Sequence, residues 1–228
     1  MSSRLPTIFD DLFPDSVPEF RAISEAWPPD VVKQILSLVW DGFDRLKALP
    51  NYQQLDFTKD YAQLERSLTD LHMDEITSLW GQDASRFESF IPKHEPWEFE
   101  GLKNRSARPP SCDLGFVWLS NRRIRWSVEA KVLQSPKAIA EYITDINKFL
   151  DGRSAPFSTQ GAIAGYLVSG EPDEFFNALA TKLKCAITSS CDFPARPHRC
   201  TNHNRSKTDL ADGMPSSFIC HHLVCSLN

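Results

Sequence analysis

No stretch of this 228-residue sequence approaches the roughly 20 apolar residues that a membrane-spanning helix needs. The first fifteen residues also lack a basic segment followed by an unbroken apolar one, because Pro6, Asp10, Asp11 and Pro14 interrupt them. That start does not read as a secretory leader, and the chain is expected to stay in the cytoplasm. Glycine is scarce at nine residues, and none of them builds a phosphate-cradling loop. Internal repeats and low-complexity tracts are missing as well, which sets aside solenoids and long disorder. Six cysteines are present without any C-x2-C knuckle. In a reducing compartment they are not expected to form a disulfide framework.

What remains is an ordinary globular composition, with 41% hydrophobic and 24% charged residues and enough aromatics, six Trp and fifteen Phe, for a sizeable core. The net charge of −5 is unevenly spread. Residues 1–100 carry 9 basic against 19 acidic residues, and residues 101–228 carry 16 against 11. Residues 101–137 alone hold 8 basic residues and only two acidic ones, Asp113 and Glu129. A basic segment enclosing two isolated carboxylates suits a metal site that approaches phosphates, or else a solvated basic hairpin.

Residues 1–28 read as a proline-spotted arm. Helical spacing then follows over residues 31–48 (Val31, Ile35, Leu36, Val39, Phe43, Leu46) and again from about Asp60 to Trp80, with Gly81 as a stop. Glu65 lies at the edge of the second stripe. Short extended pieces are expected from Phe87 to Phe99, and residues 101–111 read as a loop. The clearest β signal is the run 124–132, where Ile124, Trp126, Val128, Ala130 and Val132 alternate with Arg125, Ser127, Glu129 and Lys131. Preceded by the apolar run 114–119 and a short polar break, it predicts a hairpin. A helix around Ile139 to Phe149, a buried strand at 161–169, a helix from Pro172 to about Lys184, a loop over 191–215 and a strand over 217–227 complete an α/β order.

Strand alternation sends Glu129 and Lys131 to the face opposite Trp126 and Val128. Asp113, at the mouth of the partner strand, can aim at the same point. Carboxylate oxygens suit a hard divalent cation such as Mg²⁺, and a nearby lysine can orient or deprotonate a water and offset charge on a phosphate. A salt bridge between Glu129 and Lys131 on a solvated face is the alternative.

Pro110-Ser111-Cys112-Asp113, followed after fifteen residues by Glu129-Ala130-Lys131, resembles the PD-(D/E)XK nuclease superfamily of restriction endonucleases and repair and defence nucleases. Pro110 stands three residues before Asp113 rather than directly before it. The likeness spans roughly residues 60–228. It continues through Tyr142-Ile143-Thr144-Asp145, Phe149-Leu150-Asp151-Gly152-Arg153 and Gly161-Ala162-Ile163-Ala164-Gly165-Tyr166-Leu167, as in uncharacterised bacterial members. It implies a restriction-endonuclease-like small mixed sheet flanked by helices: an N-terminal arm and helix over 1–58 and the nuclease-like domain over 59–228. The implied site has Asp113, Glu129 and the main-chain carbonyl of Ala130 as ligands of Mg²⁺ or Mn²⁺, Lys131 as water activator and Glu65 as an added acidic residue. The implied activity is metal-dependent hydrolysis of phosphodiester bonds, endo or exo. DNA is the expected substrate with RNA as the alternative, in a setting such as bacterial defence. A homodimer or partner subunit is compatible with it.

Weaker signals lie in the last quarter. His203 and Arg205, with Arg199, are candidate phosphate contacts on a mobile basic loop. Cys191, His198, Cys200, His203, Cys220, His221, His222 and Cys225 suggest zinc by density. Their spacing and the alternation of Cys220 and His222 against His221 and Cys225 favour buried apolar thiols instead. Rival readings are a non-catalytic binding subunit of the same fold and a zinc-stabilised interaction protein.

Overall fold

The computed structural model describes residues 27–50, 52–55, 60–96, 111–119, 124–205 and 215–227. The arm over 1–26, Trp97 and Phe99 of the expected extended pieces, the basic residues 101–110 with Pro110, the polar break at 120–123 and residues 206–214 of the expected loop lie outside the described residues.

Helix α1 (Pro29–Ala48) starts where Pro29 fills the first helical position, with Asp30 in its first turn and Arg45 and Lys47 in its last. Helix α2 (Tyr61–Gln82) is capped by Asp60, whose Oδ1 accepts the Gln63 N–H at 3.1 Å. It runs through Gly81, the expected stop, and ends at Gln82. The two helices cross closely at Gly42, where a Cβ would stand 2.7 Å from Ile76 Cγ1. Only glycine allows that approach.

Strands β1 (Phe90–His94), β2 (Leu114–Trp118), β3 (Arg125–Leu133), β4 (Gln160–Leu167), β5 (Ile187–Ser189), β6 (His198–Asn204) and β7 (Ser217–Ser226) form one mixed sheet in the order β1-β2-β3-β4-β7-β6-β5. The β3–β4 and β4–β7 pairs are parallel and the other four antiparallel. Helix α3 (Ala140–Leu150) links β3 to β4, and α4 (Pro172–Leu183) follows β4. The predicted hairpin is therefore present as β2 and β3. The expected loop over 191–215 is corrected in part, since His198–Asn204 is a strand. Its side chains are polar and give no apolar period, but seven residues of β7 register against its backbone.

Alternation sorts the core into two layers. Trp126, Val128, Ala130, Ala162, Ala164, Tyr166, Leu223 and Cys225 pack with α1 and α2. Leu133, Ile163, Leu167, Cys220 and Val224 pack with α3 and α4 through Tyr142, Phe149, Phe175 and Phe176. The central strands are covered on both faces, so β4 is almost continuously buried. His72 fastens the helical layer to the sheet, with Nε2 on the Val39 carbonyl at 2.7 Å and Nδ1 2.8 Å from the Tyr166 hydroxyl. Burial lowers its pKa to about 4, so the ring is neutral at pH 7. Among the described residues no helix is long and apolar enough to cross a membrane.

Candidate active site at the open edge of β3

The β2–β3 pairing stops at Leu114 opposite Val128, so β3 runs on for five residues without that neighbour. In an extended strand, the N–H groups of alternate residues point to the same edge. Those of Ala130 and Val132 therefore face the gap. Two carboxylates fill it. Ala130 N–H donates to Asp113 Oδ2 at 2.7 Å, and Val132 N–H donates to Glu65 Oε2 at 3.0 Å. The carbonyl of Ala130 leaves the strand on the same side as its N–H, beside Asp113.

Glu65 extends from α2, and its Oε1 accepts a hydrogen bond from Lys131 Nζ at 2.9 Å. Glu129 and Lys131 share the face opposite Trp126 and Val128, but they do not pair with each other. Glu129 is buried, and its oxygens accept from Lys148 Nζ at 3.0 Å and Ser154 Oγ at 2.6 Å. Lys148 in turn holds Asp145 Oδ1 at 2.8 Å. The second Asp145 oxygen is buried without a hydrogen bond, 3.8 Å from Lys131 Nζ. Four carboxyl groups (Glu65, Asp113, Glu129, Asp145) thus gather around two ammonium groups (Lys131, Lys148).

The electrostatics follow from this crowding. Burial, reinforced by the Glu129 charge, raises the Asp113 pKa to about 7, although the Ala130 N–H acts against it. Burial also raises Glu129, with Lys148 and Ser154 opposing. For Lys131, burial works downward, but the hydrogen bond and charge of Glu65, then Asp145 and Glu141, outweigh it and raise the pKa. Lys148 is likewise raised, since Glu129 and Asp145 overcome its burial. Both lysines are therefore ammonium ions at neutral pH. Lys131 can donate to and orient a water or an anionic oxygen, but in this state it has no lone pair with which to take a proton.

Asp113 lies close enough to Glu129 for that charge to raise its pKa, and no hydrogen bond to Asp113 Oδ1 is made among the described residues. Oxygen donors with excess negative charge beside a strand carbonyl are the kind that Mg²⁺ or Mn²⁺ prefers, although no three of these carboxyl groups come within 4.8 Å of one another among the described residues. A cleft of about 380 Å³ opens alongside, walled by Tyr61, Glu65, Lys131, Gln134 and Glu141.

Asp113, Glu129, Lys131, Glu65 and Ala130 are thus brought together; the three residues singled out as phosphate contacts are not part of the group. Arg205 is buried under the sheet, where its guanidinium donates to the carbonyls of Phe149, Ala155, Pro156 and Ser158 at 2.9–3.3 Å and covers the Phe218 ring. Arg199 pairs with Asp173 at 2.5 Å and lies over Phe176. His203 lies 2.7 Å from Thr201 Oγ1. Asp145, Lys148 and Ser154 were missed. The available signal was that Asp145 lies one helical turn after Tyr142 and one before Phe149, on the inward stripe of α3.

The C-terminal thiols and imidazoles alternate along β7 as expected, but β6 brings two more donors to one of those faces. His198, Cys200 and His221 place their donor atoms within 4.8 Å of one another. No protein-family model, no curated protein and no solved structure matches this chain.

Proposed function

We propose that this protein is a metal-dependent phosphodiesterase acting on nucleic acid, most naturally DNA, through the cluster at the β3 edge. The observation that carries this reading is that Asp113 and Glu65 close on the β3 edge from separate elements, beside Lys131 and within reach of the charge of the buried Glu129. A solvated salt bridge would need only two exposed partners, whereas Glu129 is 2% exposed. Burying charge without function is costly, and here it recurs several times over.

Asp113, Glu129 and the Ala130 carbonyl would hold Mg²⁺ or Mn²⁺, which when bound lowers the pKa of a coordinated water and neutralises charge on a phosphate. Lys131 orients the attacking water and stabilises the charge that builds on the phosphate oxygens. Asp145 and Lys148 hold Glu129 and Lys131 in place. The resemblance to PD-(D/E)XK nucleases supports the same roles. Beyond the site, a second cleft of about 900 Å³ is lined by Lys137, Lys182 and Lys184 against one carboxylate, Glu174, a net positive wall compatible with a phosphate backbone.

The test is incubation with supercoiled, linear and single-stranded DNA, and with RNA, in the presence of Mg²⁺ or Mn²⁺. Cleavage that EDTA stops and Glu129→Gln abolishes is expected. Binding to DNA without cleavage under any of these ions would favour the non-catalytic subunit instead.

A further inference from the structure

On the sheet face opposite Glu129, His198 and Cys200 of β6 and His221 of β7 turn toward one point. Cys200 registers directly across from His221, and His198, two residues along, shares its face. His198 Nε2 is 3.1 Å from His221 Nδ1, and Cys200 Sγ is 3.3 Å from the same nitrogen. The rings of Trp40, Trp126 and Phe193 wall the group.

We propose that His198 Nε2, His221 Nδ1 and Cys200 Sγ form a binding site for a borderline-soft divalent cation, zinc foremost, with its fourth position left to water. This site is separate from the acidic cluster and does not depend on its function.

The first argument is distance. Tetrahedral zinc, with Zn–N of about 2.0–2.1 Å and Zn–S of about 2.3 Å, sets ligand separations of about 3.3 Å for N···N and about 3.6 Å for N···S. The observed 3.1 and 3.3 Å fall just short of these, so a small outward adjustment admits the ion.

The second argument concerns lone pairs. Trp40 N–H points at His198 Nδ1 at 3.5 Å, so without metal the proton of His198 sits on Nε2. That N–H and the Cys200 thiol then both face the single lone pair of His221 Nδ1, which cannot accept two good hydrogen bonds. Zinc resolves the competition: all three atoms become lone-pair donors, and the thiol proton leaves to solvent as the Zn–S bond forms. The rearrangement moves the His198 proton to Nδ1 and gives up the Trp40 contact, which is already at the limit of hydrogen-bond length.

Two surroundings agree. His221 Nε2 lies 3.2 Å from Gln160 Oε1, the kind of acceptor that fixes a metal-bound imidazole. Asp192 acts to raise both His198 and His221, with one of its carboxylate oxygens held by Lys33 at 2.9 Å. Burial nevertheless takes the two to about 3 and about 4, so both rings are neutral at pH 7, the form that ligates metal.

The test uses the full chain stripped with chelator and titrated with Co²⁺, followed by displacement with Zn²⁺. Wild type is expected to show a near-ultraviolet sulfur-to-cobalt band that saturates at one equivalent and is bleached by zinc. Asp113→Asn should keep the band and Cys200→Ser should lose it. A wild type without the band, or a band that survives in Cys200→Ser, overturns the proposal. Should Cys200→Ser fail to fold, His221→Gln serves instead. Unchanged cobalt affinity and visible spectrum in that variant are equally fatal to the proposal.

Discussion

Glu65 holds Lys131 across two elements, with one carboxylate oxygen on the ammonium at 2.9 Å and the other on the Val132 N–H at 3.0 Å. The helix and the strand edge are thereby locked in register at the point where chemistry is proposed. The pair also keeps Lys131 charged, which changes what that lysine can do.

Lys131→Met should therefore lose activity as an electrostatic defect. Removing one preorganised donor to a developing oxyanion typically costs about 10²–10³-fold in kcat. The fold should survive, because Glu65 keeps its bond to Val132. Single-turnover cleavage set beside circular dichroism checks this. The wild-type pH–rate profile should carry no limb from deprotonation of Lys131 below the usual lysine range. A limb near neutral pH that vanishes in Lys131→Arg would show a base instead.

Metal and pH should be linked through Asp113. Its folded pKa, about 7, lies above the ordinary carboxylate value, so the folded state binds the extra proton. Its contribution to stability is full at acidic pH and is lost as pH rises toward and through 7. The buried His72, His198 and His221, whose pKa values are lowered, act with the opposite slope, losing stability as pH falls below the usual histidine range. Comparison with Asp113→Asn cancels the histidines. Wild type minus Asp113→Asn should lose melting temperature from pH 5.5 to 8, about the span over which Asp113 ionises. Millimolar Mn²⁺ should restore more at pH 8 than at 5.5. Equal shifts at both pH values would remove the metal from Asp113.

Asp145→Asn should weaken activity by about 10–100-fold, the usual cost of losing an outer partner of a metal or catalytic group. Asp145 holds Lys148 at 2.8 Å and lies 3.8 Å from Lys131, so its loss loosens both ammonium groups, which keep Glu129 and Glu65 as their remaining partners. Activity assays together with Mn²⁺ affinity will separate misplacement of Lys131 from loss of Glu129. Unaltered kcat and metal affinity would reduce Asp145 to a packing role.

Arg205→Ala should act on stability rather than on substrate. Four buried carbonyls lose a charged donor, and hydrogen bonds to charged groups are each worth about 1.5–3 kcal/mol. A loss of at least about 3 kcal/mol in urea unfolding is expected, within that bracket for two or more such bonds. A well-folded variant with only weakened DNA binding would return Arg205 to a phosphate role.

The hairpin and the shared face of Glu129 and Lys131 were legible because period two over nine residues leaves few alternatives. Glu65 was legible as a carboxylate on the rim of an apolar stripe. The inward position of Asp145 was open to the same helical reading, but its partners, and the roles of Lys148 and Ser154, were not, since they depend on how α3 docks across the sheet, a distance that residue spacing does not encode. Strands β5 and β6 were hidden for another reason. Polar side chains such as those of Arg199, Thr201 and Asn202 carry no apolar alternation, and the pairing comes from backbone groups alone. Arg205 misled because a guanidinium in a polar stretch suggests solvent, whereas here it closes the end of a helix and a turn.

The carboxylates of Asp113 and Glu65 also seal the β3 edge where β2 falls away. Bare strand edges invite pairing with a second chain, and proteins guard them with charge. A variant stripped of both acids, Glu65→Ala with Asp113→Ala, would expose two unpaired N–H groups on a strand buried on both faces. Such a protein is expected to self-associate in light scattering as well as lose metal. The acids proposed to serve hydrolysis would then be what keeps one molecule from templating onto the next.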